Sequence, residues 1–251
     1  VRTIQELCQT RLPKNMGIAP ADIQVLSPSR KHETGTKALN LALQAVLNPP
    51  ADGKKEKKHG DFSFRIGDRV MQIRNNYDIM WKRADGLGAG TGIFNGDIGT
   101  VTDIDFQEET MTIQFDDRTA EYAFDMLSEL EPAYAMTVHK SQGSDFDTVF
   151  VVLPKTGRIL SRELIYTALT RAKKRVVLLV QDSIGWLREF TKPQASVLAR
   201  RNTNLFDYSV RAERLNIPYV EGLIHGTAKK GLFVRCLLYT SPSPRDISGS
   251  R

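Results

Sequence analysis

The beginning of the chain shows the hydrophobic pattern of a strand followed by a helix. Residues 23–27 form a short, mostly apolar run that ends before Pro28, which favours a strand. Between residues 36 and 47, apolar side chains recur at spacings of three and four, the period of an amphipathic helix. Asn48-Pro49 ends that helix. This region therefore predicts one strand, loop and helix unit of an α/β domain.

After Gly67 the hydrophobic period changes to two. Asn95-Gly96 is a hairpin turn sequence between such segments. We predict a small β-barrel or sandwich over residues 64–128. Its clearest strands are residues 69–74, 99–104, 110–115 and 119–124. Four alternating glycines fit neither a dinucleotide nor a phosphate-loop spacing and predict a flexible loop tip; they are Gly86, Gly88, Gly90 and Gly92.

The α/β pattern returns after Pro132. Residues 148–153 and 175–180 are continuous apolar runs, as in strands of a parallel sheet that are buried on both faces. Between them, residues 161–170 predict a helix with Ser161 as its N-cap and Glu163 in its first turn. The fold class is therefore α/β, with a parallel-sheet domain interrupted by a β module. A further helix over residues 183–190 would face the core through Trp186, Leu187 and Phe190.

Composition narrows the class of protein. The chain has 251 residues, 41% of them hydrophobic, and a formal charge of +6, which suits a polyanionic partner without demanding one. Cys8 and Cys236 have no metal-ligand spacing, so a zinc site or disulfide framework is not predicted and a reducing cytoplasm is expected. No apolar run is long enough to span a membrane. Because the first residue is Val1, we expect the natural chain to begin earlier.

The last residues differ in kind from the rest. Residues 238–246 carry no periodicity, and together with the Ser, Gly and Arg residues that follow they resemble translated sequencing-adapter read-through. We therefore expect residues 236–251 to be non-native and leave them out of the fold prediction.

Two polar strings are candidates for chemistry. Residues 135–147 place hydroxyls, a histidine and a lysine before a buried strand, which favours either a phosphate-facing loop or a polar helix end closed by Gly143. In residues 163–174, Arg171 lies at the end of a helix, where the dipole favours a cation in any protein. For each string, composition alone leaves open both a functional role and a purely structural one.

The β module offers two further candidates. The charge run at residues 54–59 is interpreted as a solvated loop, with contact to DNA phosphates as the alternative. Tyr77 and Trp81 stand beside Lys82 and Arg83 on what we predict to be the long loop of the barrel. They are candidates for stacking on the bases of a single strand, and the alternative for Trp81 is a cap on the barrel core.

The two polar strings together resemble a known family. Residues 137–144 (TVHKSQGS) and residues 166–172 (YTALTRA) resemble motifs V and VI of superfamily 1 helicases of the RecD-like branch. Residues 26–40, with Gln44 and Asn48, resemble the motif IV region, and the β module falls where that branch carries an SH3-like insertion. The resemblance implies a RecA-like second lobe interrupted by an SH3-like barrel, in a protein of DNA repair and recombination.

The resemblance also implies roles for single residues. Arg171 corresponds to the motif VI arginine that reaches the ATP γ-phosphate as an arginine finger, and Arg30 to the motif IV phosphate contact, with Lys31 and Lys37 as alternatives. Many relatives have Glu where Asp145 stands. The motif V residues implied to face the nucleotide are Gln142, Gly143 and Asp145, and those implied to face single-stranded DNA are Thr137, His139, Lys140 and Ser141.

The sequence contains no nucleotide cradle. No G-x-x-x-x-G-K-[S/T] is present, because Gly53-Lys54 has Asn48 where the first glycine should be, and no apolar strand ends in Asp-Glu. In this family those elements belong to an N-terminal RecA-like lobe, which would bind most of the ATP and Mg²⁺. We therefore expect the chain to be part of an ATP-dependent DNA helicase that is inactive alone. Metal binding is not predicted, since the four histidines are scattered.

These interpretations divide the chain. Residues 1–63 and 129–192 would form the lobe around the module, and residues 193–235 an extension. That extension has a basic strip at residues 200–205, and its residues 214–219 and 231–235 resemble the opening of restriction-nuclease-like domains. The alternatives to a motor lobe are therefore a non-catalytic module that binds single-stranded nucleic acid and part of a helicase-nuclease fusion.

Overall fold

The computed structural model describes residues 1–154, 162–181 and 232–238. The chain divides into two units, one formed by residues 1–20 and 30–136 and the other by residues 21–29 and 137–251. The expectations for Ser161, for the side chain of Glu163, for a helix over residues 183–190 and for the basic strip lie outside the residues that are described.

The chain begins with helical segments that the sequence pattern did not predict. Helix α1 (Arg2–Glu6) continues through a π-helical turn into α2 (Leu12–Met16), which ends at Gly17 in the left-handed conformation. Strand β1 (Ile23–Ser27) and helix α3 (Thr36–Leu47) have the predicted bounds. Gln5 donates a hydrogen bond to the Ala42 carbonyl at 2.7 Å, which fixes α1 to α3 within the first unit.

The β module is a seven-stranded antiparallel sheet in the order β10-β4-β7-β8-β9-β5-β6, beside a two-stranded hairpin of β2 and β3. Its core includes Val70, Ile104, Ile113 and Tyr122, all fully buried. The strands are β2 (Glu56–His59), β3 (Phe62–Arg65), β4 (Arg69–Gln72), β5 (Asn76–Arg83), β6 (Ala89–Ile93), β7 (Ile98–Asp105), β8 (Thr110–Phe115), β9 (Arg118–Ala123) and β10 (Leu130–Pro132).

Two loop predictions within the module are wrong for part of their residues. Gly90 and Gly92 lie in strand β6, where a Cβ on Gly90 would lie 2.5 Å from the Trp81 ring on β5. Gly86 and Gly88 lie in the loop before β6, as predicted. Within the charge run, residues 56–59 form strand β2, which pairs with β3, so the loop prediction is wrong for these four residues. The ammonium of Lys57 lies 3.9 Å from the centre of the Phe124 ring, and Lys55 pairs with Asp103 at 2.9 Å.

A polar stripe on α3 holds the base of the module. Gln44 and Asn48, one turn apart, each donate a side-chain hydrogen bond of 2.5 Å to the buried carboxylate of Asp68, just before β4. Tyr134 donates to the same carboxylate at 2.9 Å, and the backbone N–H of Arg65 at 2.7 Å. Burial first, and then the charge of Asp68, raise the pKa of Tyr134. Four donors therefore compensate one buried charge.

The second unit contains a parallel sheet, as predicted. Strand β11 (Ala135–Thr137) leads into it, and β12 (Phe146–Leu153) pairs in parallel with β1 on one side and with β13 (Ala172–Gln181) on the other. Helix α4 (Arg162–Leu169) lies between β12 and β13 in sequence, and β14 (Leu232–Leu238) pairs antiparallel with β13. The predicted α/β fold class, a parallel sheet with an inserted β module, is confirmed.

Candidate functional site

The segment that follows β11 folds into consecutive turns. Ser141 N–H donates to the Thr137 carbonyl at 3.1 Å, Gln142 N–H to the His139 carbonyl at 3.3 Å, and Ser144 N–H to the Ser141 carbonyl at 3.1 Å. Because these residues are turns and not helix, the interpretation of a helix end closed by Gly143 is wrong. Gly143 has φ +90°, a conformation that favours glycine, and open space surrounds it.

The side chains of this segment divide by exposure. His139, Gln142 and Asp145 are exposed, and Lys140 is half-buried. Ser141 is fully buried, and its hydroxyl donates to the Val138 carbonyl at 2.7 Å. The hydroxyl of Ser141 therefore shapes the turn. The exposed polar side chains of the segment are those of His139, Gln142 and Asp145.

Thr137 has a similar local role at the start of the segment. Its hydroxyl oxygen accepts a hydrogen bond from the backbone N–H of Lys140 at 3.3 Å, and the side chain is half-buried. Val138 N–H donates to the carbonyl of Ser27 at 3.2 Å, which fixes the segment beside β1. Lys140 therefore lies on a turn that is hydrogen-bonded to β1 through Val138 and internally through Thr137.

Arg171 lies between the end of α4 and the start of β13, and it faces the end of the same segment. One guanidinium nitrogen, Nη1, donates to the Ser144 carbonyl at 3.3 Å and stands 3.7 Å from the Asp145 carboxylate. Nε donates to the Thr167 carbonyl at 3.3 Å and Nη2 to the Thr170 hydroxyl at 3.3 Å. With 20% of its side chain exposed, the arginine is held by its own unit at all three nitrogens.

The first unit contains a separate cationic cavity. Arg30 lines this cavity together with Lys31 and Lys37, the two alternatives to it as the phosphate contact. Arg30 forms an ion pair with Glu131, and Lys37 pairs with Asp61 at 2.5 Å. The cavity has a volume of about 360 Å³, opens to solvent, and is lined by Arg30, Lys31, His32, Lys37, Ala38 and Leu41. Glu131 and Asp61 compensate two of the three cations, so the positive charge of this surface is small.

Tyr77 and Trp81 lie on strand β5, not on the predicted loop. Tyr77 is 66% exposed and meets the Phe94 ring edge to face at 5.6 Å between centroids. Trp81 is half-buried, packs against the module core and has the Arg118 guanidinium 5.6 Å from its ring centre. Sequence reasoning missed Phe94, which directly precedes the Asn95-Gly96 turn and is 41% exposed.

Two absences hold for the residues that the structure describes. Within them, no three His, Cys, Asp or Glu side chains come close enough together to ligate a metal ion. Within the same residues, no helix has the length and apolar character that crossing a bilayer requires.

Comparison with known proteins finds two family models, each of which matches part of the chain. Residues 39–115 match the ATP-dependent RecD-like DNA helicase SH3 domain, and residues 132–179 match the UvrD-like helicase C-terminal domain. The second match contains the turn segment and Arg171.

Three relatives share long stretches with the chain. An uncharacterized protein of Methanocaldococcus jannaschii, MJ1519, is 32% identical over 79% of this chain and 17% of its own length. The ATP-dependent RecD2 DNA helicase of Deinococcus radiodurans is 38% identical over 62% of this chain and 20% of its own length. The RecBCD enzyme subunit RecD of Haemophilus influenzae is 30% identical over 72% of this chain and 26% of its own length. The chain thus spans about a quarter or less of these relatives.

Proposed function

This chain carries the SH3 domain of RecD-like DNA helicases and a UvrD-like helicase C-terminal domain, and from that premise we propose that it is the second motor lobe of an ATP-dependent DNA helicase. The observation that carries the proposal is the meeting of Arg171 with the turn segment of residues 137–145. In the proposed function the cation for the phosphates and the contact to DNA lie on connected elements, and the hydrogen bond from Arg171 to the Ser144 carbonyl supports this arrangement.

In this function Arg171 is the arginine finger. A cation of this kind stabilises the charge that develops on the phosphoryl oxygens and is worth about 10³ to 10⁵ in rate in related nucleotide hydrolases. Arg30 is the motif IV contact to the phosphates. On the nucleotide side of the turn segment we place Gln142, Gly143 and Asp145, and on the single-strand side Thr137, His139, Lys140 and Ser141.

ATP and Mg²⁺ are bound mainly by an N-terminal RecA-like lobe of the same protein, which supplies the phosphate loop that the printed sequence does not contain. Two such lobes must close on the nucleotide for hydrolysis to drive movement along DNA. The chain alone therefore binds single-stranded DNA without hydrolysing ATP. We place the protein in the cytoplasm, in DNA repair and recombination.

The experiment is fluorescence anisotropy of the 251-residue chain with a labelled oligothymidylate over a salt series. Parent binding is expected to weaken steeply with salt, and Lys140→Ala to weaken it further and reduce the slope by about 0.7, the loss of one single-strand phosphate contact. Lys14→Ala removes an exposed lysine of α2 as the matched control and should change neither. Equal behaviour of the two variants, or no binding at low salt, would reject the proposed DNA track.

A second candidate function is a non-catalytic module that binds single strands. The exposed pair of Tyr77 and Phe94 favours this function, since DNA bases can stack on an aromatic surface without any contribution from ATP. An abasic phosphodiester of the same length separates the two functions. If Tyr77→Ala and Phe94→Ala remove most of the affinity and Lys140→Ala removes none, the binding module is the better description.

A further inference from the structure

We propose that Asp145 is a positioning residue that holds the guanidinium of Arg171 against its own lobe until the more highly charged phosphate chain of a nucleotide replaces it. The proposal rests on the proposed function, in which Arg171 is the arginine finger. It gives Asp145, which lies on the proposed nucleotide side, a contact with the arginine before the nucleotide binds.

Three consecutive residues carry the argument. The Ser144 carbonyl accepts a hydrogen bond from Nη1 of Arg171 at 3.3 Å, and the Asp145 carboxylate lies 3.7 Å from the same nitrogen. Phe146 N–H donates to the Arg171 carbonyl at 2.9 Å. Both the main chain and the side chain of Arg171 are thus fixed to the end of the turn segment, and Asp145 provides the negative charge among these contacts.

The charges define a competition. Asp145 is half-exposed and gives one negative charge at a distance longer than a hydrogen bond, so its hold on Arg171 is weak. A triphosphate carries several charges and accepts bidentate hydrogen bonds from a guanidinium. The carboxylate therefore keeps the arginine ordered in the empty lobe and loses it to the nucleotide. A glutamate at this position has one more methylene and would maintain the contact.

The same contacts connect Arg171 to the proposed DNA side. The Thr137 carbonyl accepts from Ser141 N–H, the Ser141 carbonyl from Ser144 N–H, and the Ser144 carbonyl from Arg171. Three hydrogen bonds in series thus join the first residue of the turn segment to the guanidinium. A bound DNA strand that moves Thr137 or Lys140 would therefore shift the Ser144 carbonyl, to which Arg171 donates.

The test uses the side-chain Nη1–H resonance of Arg171 in the 251-residue chain, assigned with Arg171→Lys and titrated with inorganic tripolyphosphate. Asp145→Asn should speed solvent exchange of this N–H and lower the half-saturating tripolyphosphate concentration about twofold to fivefold, the range of an exposed ion pair. Asp145→Glu should behave like the parent. Asp147→Asn is the matched control, because Asp147 pairs with Lys174, and the substitution changes the net charge equally.

Equal effects of Asp145→Asn and Asp147→Asn would overturn the proposal, since the change would then reflect net charge alone. An Arg171 resonance that tripolyphosphate shifts in no variant would overturn it as well. The oligothymidylate experiment does not depend on this carboxylate. If Lys140→Ala weakens DNA binding while Asp145→Asn leaves Arg171 unchanged, the positioning role fails and the motor lobe stands; the opposite pattern rejects the DNA track and leaves the positioning contact.

Discussion

Asn40 pairs with the backbone of Ala135, which lies 95 residues further along the chain. Its side-chain amide donates to the Ala135 carbonyl at 2.8 Å, and its carbonyl oxygen accepts from the Ala135 N–H at 2.7 Å. Both residues are buried. The amide thus does for β11 what a neighbouring strand would do, and it fixes the chain to α3 at the point where the β module ends.

Asn40→Ala should destabilise the first unit. It leaves a buried N–H and a buried carbonyl of Ala135 without partners, and each loss costs about 1 to 3 kcal/mol, so we expect about 2 to 6 kcal/mol in total. Urea denaturation measures the change. Asn15→Ala, at an exposed position of α2, is the control and should stay within about 0.5 kcal/mol of the parent. A similar small effect of Asn40→Ala would contradict the role of this pair.

Gly90→Ala should displace the Trp81 ring. A Cβ at this position would lie 2.5 Å from a ring carbon, and the ring packs against the module core, so either the strand or the indole must shift. In a Trp186→Phe background, in which Trp81 is the one remaining tryptophan, we expect a red shift of the emission maximum and weaker binding of oligothymidylate. Thr91→Ala, an exposed neighbour on β6, should change neither. Unchanged emission would show that β6 absorbs the methyl group.

The sequence predicted those elements whose hydrophobic period is regular. β1, α3 and β8 have the predicted bounds, because each presents an uninterrupted apolar face to a core. β5 and β6 could not be predicted in this way. Their pairing depends on Gly90 lying beneath Trp81, a contact between strands that no periodicity records. α1 and α2 were missed because two short helices joined by a π-helical turn do not keep one helical period.

The candidate site was predictable as a set of residues and not as an arrangement. The motifs indicated both Asp145 and Arg171, but their separation of 3.7 Å depends on how β12 and β13 pair, which a single sequence does not give. The burial of Ser141 was not predictable either. A serine in a polar string reads as exposed until the turn geometry directs its hydroxyl to the Val138 carbonyl.

Stability should fall at high pH because of Cys8. Burial raises the pKa of its thiol from 9.0 to about 12. Below pH 9 the folded and unfolded chains both hold this proton. Between pH 9 and about 12 the unfolded chain loses the proton first, so the free energy of unfolding decreases with pH by about 1.4 kcal/mol per unit.

The measurement compares parent and Cys8→Ala by urea denaturation at pH 8 and pH 10. The parent should lose about 1.4 kcal/mol more than the variant over this interval. Burial also raises the pKa of Tyr122 and of Tyr134, but both tyrosines are present in both proteins and cancel in the difference. A parent and a variant with the same pH dependence would show that the thiol is accessible to water in the folded chain.

Ser141→Ala should affect folding more than DNA binding. Its hydroxyl donates at 2.7 Å to the Val138 carbonyl inside the protein, so removing the hydroxyl costs about 1 kcal/mol of stability. Because the side chain of Ser141 is fully buried, a DNA strand bound on the surface would contact the backbone of this turn and not the hydroxyl. Below the unfolding transition, oligothymidylate affinity should therefore fall less than about threefold, with an unchanged salt slope, whereas Lys140→Ala reduces the slope. A loss of affinity in Ser141→Ala as large as that in Lys140→Ala, at full native stability, would mean that the hydroxyl turns outward to bind phosphate when DNA arrives.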